Sequence, residues 1–321
     1  MTMIREGILN INKPAGMTSH DVVNKVRRAT GIKRVGHTGT LDPMATGVLP
    51  ICIGSAARII EYLDLDFKTY RCEMMFGKTT DTQDIWGEII EEKDTKNLDE
   101  ESIRDAFSEF SGLIEQVPPM YSAVKVGGRK LYEYAREGMQ VKVKPRTVYI
   151  KELKIEKIDM AAKTAAFTVE CSKGTYIRSI CSRAGEKLGC GSVMTALERT
   201  ASGMFKINDA VSLSEIEHMS HDDIDEILVG ADFPLVHFGK AVVDRETGIK
   251  FADGFHLPLN KCRIDRKPEF EEKDFVMEIN PKYRKTYNVY METASGLTFL
   301  GVAYFSEKYK KLVADKVFYK R

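Results

Sequence analysis

Between positions 34 and 50 the chain reads Arg34-Val35-Gly36-His37-Thr38-Gly39-Thr40-Leu41-Asp42-Pro43-Met44-Ala45-Thr46-Gly47-Val48-Leu49-Pro50. Three glycines, two prolines and four small hydroxyl or alanine residues make a poor helix and a poor regular strand. Residues 33–54 therefore read as an irregular stretch whose backbone can approach a ligand closely. Asp42 precedes Pro43, which holds it away from the right-handed helical region and presents its carboxylate from an extended or turn conformation. An aspartate so placed is a candidate covalent nucleophile at a sugar carbon or an electron-poor ring carbon. An Asx-turn is the commoner use of an Asp-Pro pair, so the assignment depends on the surroundings.

His37 has no second histidine near it in sequence, which argues against a metal site and for a hydrogen-bonding or electrostatic role. In Cys171-Ser172-Lys173-Gly174-Thr175-Tyr176-Ile177-Arg178 a strand end, a glycine turn and a helix start bring Tyr176 and Arg178 to one rim. An arginine there would favour ionisation of a nearby aspartate, and a rim aromatic offers a base a stacking surface. Tyr70 falls on the inward face of its strand, where a plain core tyrosine is the alternative.

The order of elements predicts an α+β fold. A first strand, Gly7–Ile11, leads to a helix started by Thr18 and Asp21 as a capping box, with Val22, Val23, Val26 and Ala29 on one face and Gly31 closing it. A short helix is expected around Ile59, Ile60 and Leu63, and a strand over Phe67–Phe76, where Tyr70, Cys72, Met74 and Phe76 alternate. Asp99–Ser111 reads as an amphipathic helix, Val148–Ile158 and Ala165–Cys171 as strands, and Arg178–Leu188 as a helix closed by Gly189. Strands and helices without a βαβ rhythm favour a mixed, mainly antiparallel sheet over a doubly wound one. After about position 230 the pattern changes to short β-runs at Phe275–Ile279, Tyr287–Glu292, Leu297–Phe305 and Leu312–Phe318. The expected division is 1–230 and 231–321, the second part being a small β-rich domain.

Charge narrows the function classes. The net charge of +1 over 321 residues leaves any nucleic-acid contact to local patches. Lys25, Arg27, Arg28, Lys33 and Arg34 form one, and positions 125–146 carry seven basic residues against Glu133 and Glu137. Plain solvated faces fit the same runs. The six cysteines form no C-x-x-C pair, so reduced core thiols are expected, with no metal. No apolar run is long enough to span a membrane and no leader pattern is visible, so a cytoplasmic protein is expected.

Three runs together resemble the TruB family of pseudouridine synthases: Asn12-Lys13-Pro14-Ala15-Gly16-Met17-Thr18-Ser19, Gly36 through Gly47, and Ser172 through Arg178. The resemblance extends to Thr80-Asp81-Thr82-Gln83-Asp84, to Leu188-Gly189-Cys190-Gly191, and to Leu197 and Arg199, covering about residues 5–210. It implies a pseudouridine-synthase fold and isomerisation of the T-loop uridine of tRNA, uridine 55, by base flipping. Asp42 would be the nucleophile, Arg178 its partner and Tyr70 a stacking and proton-handling group. His37 would touch the extruded nucleotide, Tyr176 and Leu197 would line the pocket, and Lys13, Pro14, Gly36 and Gly39 would support the site. The segment 125–146 would be a thumb-like RNA grip and the C-terminal part a PUA-like module. The partner would be the T-arm and elbow of tRNA, bound by a monomer without cofactor, DNA or membrane. Glu198 departs from the pattern, standing where the family often carries a basic residue. Attack at C1′, attack at C6 and elimination to a glycal all remain compatible with an aspartate here. A non-catalytic RNA-binding protein, a glycosylase releasing free base, or a relative acting on another RNA would use the same residue types.

Overall fold

Leu9 and Ile11 point to one side and Ile8 to the other, so the first strand, β1 (Ile8–Lys13), is buried on both faces. The computed structural model describes residues 6–270 and 279–319. Helix α1 (Ser19–Thr30) starts at the expected capping box: Thr18 and Asp21 each accept from the other's backbone N–H. It ends at Gly31 with φ +68°. Val22, Val23 and Val26 pack inward.

After β2 (Val35–His37) comes β3 (Thr46–Ile53), and here the expectation of an irregular stretch fails: β3 is a regular central strand, buried along nearly its whole length. Its apolar run from Val48 to Ile53 is covered on both faces, which outweighs the local cost of Gly47 and Pro50. Pro50 fits because its carbonyl accepts from the Thr38 N–H at 3.2 Å. Within an extended strand a residue's N and O point the same way. The donor that proline lacks would therefore face the end of β2, and the β1–β3 ladder is intact.

A 3-10 helix, Gly54–Leu65, leads into β4 (Lys68–Phe76), which alternates as expected. The hairpin β5 (Lys78–Thr80) and β6 (Ile89–Glu92) precedes α2 (Glu100–Ser108), capped by Asp99, and β7 (Gly112–Gln116). The basic segment forms a small hairpin, β8 (Lys125–Val126) and β9 (Arg129–Lys130), then α3 (Leu131–Arg136). Strands β10 (Arg146–Asp159) and β11 (Thr164–Cys171) are followed by α4 (Ile177–Lys187) and β12 (Ser192–Ser202). Then come β13 (Phe205–Lys206), β14 (Val211–Ser212), α5 (Leu213–His218) and α6 (His221–Ile227).

These strands form one sheet in the order β14-β1-β3-β12-β4-β11-β10-β7, with β2 against β3 and β13 against β12. Only β1–β14 and β3–β12 pair in parallel among the described strands of this sheet, so it is mixed and mainly antiparallel, as expected. The central strand β12 has no clear sequence signal. Bulges at Met194/Ala196 and Arg199/Ala201 break its two-residue period.

A second sheet is built from β15 (Gly239–Val243), β16 (Leu257–Pro258), β17 (Arg263–Arg266), β18 (Thr286–Thr293), β19 (Gly296–Ser306) and β20 (Lys311–Val317). Helix α7 (Arg245–Ala252) packs on it through Phe251. The three later β-runs expected from sequence are β18, β19 and β20; the run at 275–279 falls, but for Ile279, outside the described residues. The two sheets share apolar contacts. Ile8, Val48, Cys52, Ile59 and Tyr62 from the first part join Leu235, Phe238, Tyr283 and Val302 from the second in one cluster. All six cysteines are free thiols, five of them buried. No helix among the described residues is long and apolar enough to cross a membrane.

Candidate active site

The loop between β2 and β3 lies where β12 joins β3 to β4, and it is tied down from below. Lys13, fully buried at the end of β1, donates its ammonium to the carbonyls of Pro14 (2.8 Å), Pro43 (2.9 Å) and Ala45 (2.7 Å). Gly16 N donates to Pro43 O at 2.9 Å. At the head of α1, Ser19 Oγ accepts from Leu41 N at 2.9 Å and donates to Leu41 O at 3.2 Å. The Asn12–Ser19 and Gly36–Gly47 runs are thus stitched to each other, with Asp42 between the anchored residues.

The Asp42 carboxylate does not close an Asx-turn; its Oδ2 meets Arg178 Nε at 2.9 Å. Arg178 is buried near the start of α4, while the aspartate side chain keeps 40% exposure. The rest of the guanidinium is fixed by the carbonyls of Thr82 (2.8 Å) and Tyr121 (3.0 Å), and Asp84 Oδ2 lies 3.8 Å from Nη1. A planar fork held on its other edge offers Asp42 a single orientation. Burial raises the Asp42 carboxyl above its ordinary value, Arg178 opposes this, and Asp84 adds to it.

Tyr70 on β4 is buried opposite Arg199 of β12. Burial raises its phenol, with the Arg199 guanidinium pulling the other way. Arg199, itself 1% exposed, donates from Nε to Val48 O at 2.6 Å and from Nη2 to Gly39 O at 3.2 Å. Lys68, also buried, lies beside the same loop: a methyl group at Gly39 would sit 3.5 Å from its Cε and 3.7 Å from Arg199 Nη1. Burial lowers Lys68 and brings Lys13 down to about 8. The loop thus rests on three buried basic side chains, Lys13, Lys68 and Arg199, of which the guanidinium stays charged and favours an anionic ligand or transition state.

His37 is held neutral by burial and by Arg199. Its Nδ1 and the Thr38 hydroxyl are buried without a hydrogen-bond partner among the described residues. Tyr176 caps α4, its backbone clasped by Gln116: Tyr176 N donates to Oε1 at 2.9 Å and Nε2 donates to Tyr176 O at 3.3 Å. Leu197 lies on β12 two residues before Arg199, paired with Cys72. Gly36 approaches Ile60 so closely that a Cβ would lie 3.0 Å from its Cδ1. Gly47 is the more demanding glycine, with φ +99° and a hypothetical Cβ 2.3 Å from Arg199 O. Among the described residues no three His, Cys, Asp or Glu side chains gather to hold a metal. Sequence spacing gives no role to Lys68, Gln116 or Arg199. The available signal for Arg199 is its place two residues after Leu197 in the stretch that carries the resemblance; by itself it reads as a surface residue until its strand is known to be central.

Comparison with known proteins places this arrangement among enzymes that make pseudouridine. Residues 27–177 match the N-terminal domain of TruB family pseudouridylate synthases, and residues 178–235 the C-terminal domain of tRNA pseudouridylate synthase B. A "tRNA pseudouridine synthase B" of Alkaliphilus oremlandii is 48% identical over 74% of this chain and 78% of its own. That of Bacillus pumilus is 44% identical over 87% and 90%. In fold, the chain is similar to the protein in the crystal structure of the archaeal box H/ACA sRNP Nop10-Cbf5 complex, with a TM-score of 0.69 and 23% identity over 99% of this chain and 88% of that one. The chain belongs to the TruB family of pseudouridine synthases.

Proposed function

We propose that the chain is a tRNA pseudouridine synthase that isomerises the T-loop uridine, uridine 55, of tRNA with Asp42 as nucleophile. The observation that carries this reading is the 2.9 Å pair of Asp42 with a buried, fully oriented Arg178, beside a loop underlaid by basic side chains. Relatives bearing the name tRNA pseudouridine synthase B support tRNA as substrate. The reaction breaks the bond from ribose C1′ to uracil N1 and joins C1′ to C5. N1 gains a proton and C5 loses one, so atoms balance without an external reductant or oxidant.

The base must leave its stack at a cost of a few kcal/mol. Tyr70, Tyr176 and Leu197 form the apolar walls that receive it, and base–aromatic stacking returns about 1–3 kcal/mol. Neutral His37, itself half-buried, contacts the extruded nucleotide. The segment 125–146 grips the T-arm and elbow, and one monomer suffices for the reaction. The test is single-turnover tritium release from tRNA labelled at uracil C5, wild type beside Asp42→Asn. Release by wild type alone, mapped to uridine 55, is the expected result. Full release by Asp42→Asn would remove Asp42 from the role.

A further inference from the structure

Trp86 is the only tryptophan in the chain, and 46% of it is exposed. Its turn is rigid. Thr80 Oγ1 donates to Asp84 O at 2.7 Å, Thr82 Oγ1 to Asp84 Oδ1 at 2.7 Å, Trp86 N to Asp84 Oδ1 at 3.2 Å and Glu88 N to Asp81 Oδ1 at 2.8 Å. Met194 N to Gln83 O (3.1 Å) and Ile85 N to Met194 O (2.9 Å) pin the turn to β12. Gln83 adopts φ +66°, a conformation that a residue with a side chain holds only when its neighbours impose it. The backbone that carries the exposed indole is therefore fixed in position before any partner arrives.

Trp86 lines a cavity of about 210 Å³ together with Met44, Arg71, Glu73, Leu197 and Glu198. The cavity takes Met44 from the loop that carries Asp42 and shares Leu197 with the candidate active site. It shares Thr46 and Glu198 with a neighbouring cavity of about 440 Å³ that reaches Lys13 and Lys25. Glu198 is half-buried, and its side chain makes no hydrogen bond or ion pair with any described residue. Its cross-strand neighbour Arg71 is engaged by Glu156 at 3.1 Å. The cavity thus combines an aromatic plate, apolar walls and two carboxylates; Glu73 is exposed, and Glu198 is the half-buried one, its carboxylate unpaired. A phosphate is repelled by that carboxylate. A flat base carrying N–H donors on its edge fits it, guanine best, because N1–H and N2–H together match two carboxylate oxygens.

We propose that this cavity is a base-reading subsite: Trp86 stacks on an unpaired base flanking the target uridine, and Glu198 accepts hydrogen bonds from the amino edge of that base. The proposal rests on the RNA-modifying reading above and adds a second recognised nucleotide. An acidic side chain beside an RNA track weakens binding to every sequence, and a base able to donate to it recovers the loss, so the pair acts on specificity.

Two measurements test it. First, T-arm stem-loops tritiated at uracil C5 are made with each unpaired base near the target replaced by its amino-lacking counterpart: inosine for guanosine, pyrimidin-2-one riboside for cytidine, purine riboside for adenosine. Wild type should lose about 5- to 100-fold in kcat/KM for one replacement, the range a two-point base contact supplies. Glu198→Ala should process that RNA and its parent equally. Equal rates for all RNAs with wild type, or discrimination retained by Glu198→Ala, overturns the proposal. Second, the single tryptophan allows a readout independent of turnover. Stem-loop binding should quench Trp86 fluorescence, and an abasic site at the same position should abolish the quench. RNA that binds without quenching overturns the subsite. RNA that quenches in this position-specific way but releases no tritium overturns the assigned reaction and leaves the subsite standing.

Discussion

At the scale of single residues, the site is governed by charges taken out of water. The Asp42 carboxyl is raised by burial and opposed by Arg178. On the proposed function Asp42 acts as a nucleophile and must be ionised, so turnover should rise with pH as that carboxyl loses its proton. Arg178→Met removes the opposing cation and leaves burial uncompensated, so the acid limb of the single-turnover pH profile should move to higher pH. An unmoved limb would mean that another group sets it. Lys13 sits at about 8, and its ammonium serves three carbonyls. A neutral amine has only two N–H donors. As pH climbs through about 8 the loop should lose an anchor and turnover should fall, while RNA binding at the exposed surface changes little. Lys13→Met should show that loss at every pH and lower stability by about 1.5–3 kcal/mol per charged hydrogen bond not otherwise compensated, measured by urea unfolding. Gly47→Ala should destabilise by at least about 1–3 kcal/mol, because its Cβ would collide with the Arg199 carbonyl. Asp42, Arg178 and Lys13 stand in runs dense enough to single them out in the sequence. Arg199 and Lys68 do not, because a cation is read as exposed unless tertiary structure buries it, and that information lies in which strands become neighbours.

At the scale of elements, legibility follows periodicity. The capping box of α1 and the alternation of β4 are local properties, and both are present. Strand β3 is not legible because its glycine and proline are local breakers, whereas its burial comes from β1, β2 and β12 on either side. Strand β12 is hidden by two bulges. The basic segment gives a prediction of its own. Arg129 is paired with Glu137 and lies over Tyr134, with its Cζ 4.6 Å from the ring centroid. Lys125, Lys142 and Lys144 are exposed and form no ion pair with described residues. Changing those three to alanine should weaken RNA binding for all sequences alike. The slope of log K against log salt should fall by about 0.7–0.9 for each phosphate that the variant no longer neutralises. Turnover at saturating RNA should persist. An unchanged slope, read by filter binding across a salt series, would place the grip elsewhere.

At the scale of the whole molecule, the two sheets are joined by more than a tether. Tyr62 of the 3-10 helix packs edge-on against Phe238 at 5.3 Å and Tyr283 at 5.8 Å. Its hydroxyl donates to Asp315, which also accepts from Lys282. The phenol is pushed far up, chiefly by burial, and stays protonated as a donor. Tyr62→Ala should cost about 3–5 kcal/mol, as other large aromatic truncations do. Amides of β18 and β19 should then exchange faster than those of β4 and β11. Uniform acceleration across both sheets would show that they unfold only as one unit. This junction is not legible in the sequence, since Tyr62 and Asp315 lie at opposite ends of the chain and no local pattern links them.

The guanidinium of Arg178 also constrains how such an enzyme could be re-engineered. It is hooked at once to the loop of Asp42, to Thr82 in the turn that carries Trp86, and to Tyr121 at the root of the basic segment. The segment is therefore not a detachable cassette. A graft that exchanged it for another segment would have to return a carbonyl to the place of Tyr121 O, or the side chain paired with Asp42 would lose one of its two backbone anchors. Retargeting the enzyme by swapping that segment is thus a problem of three coupled joints, and its first symptom would be slow chemistry on RNA that binds well.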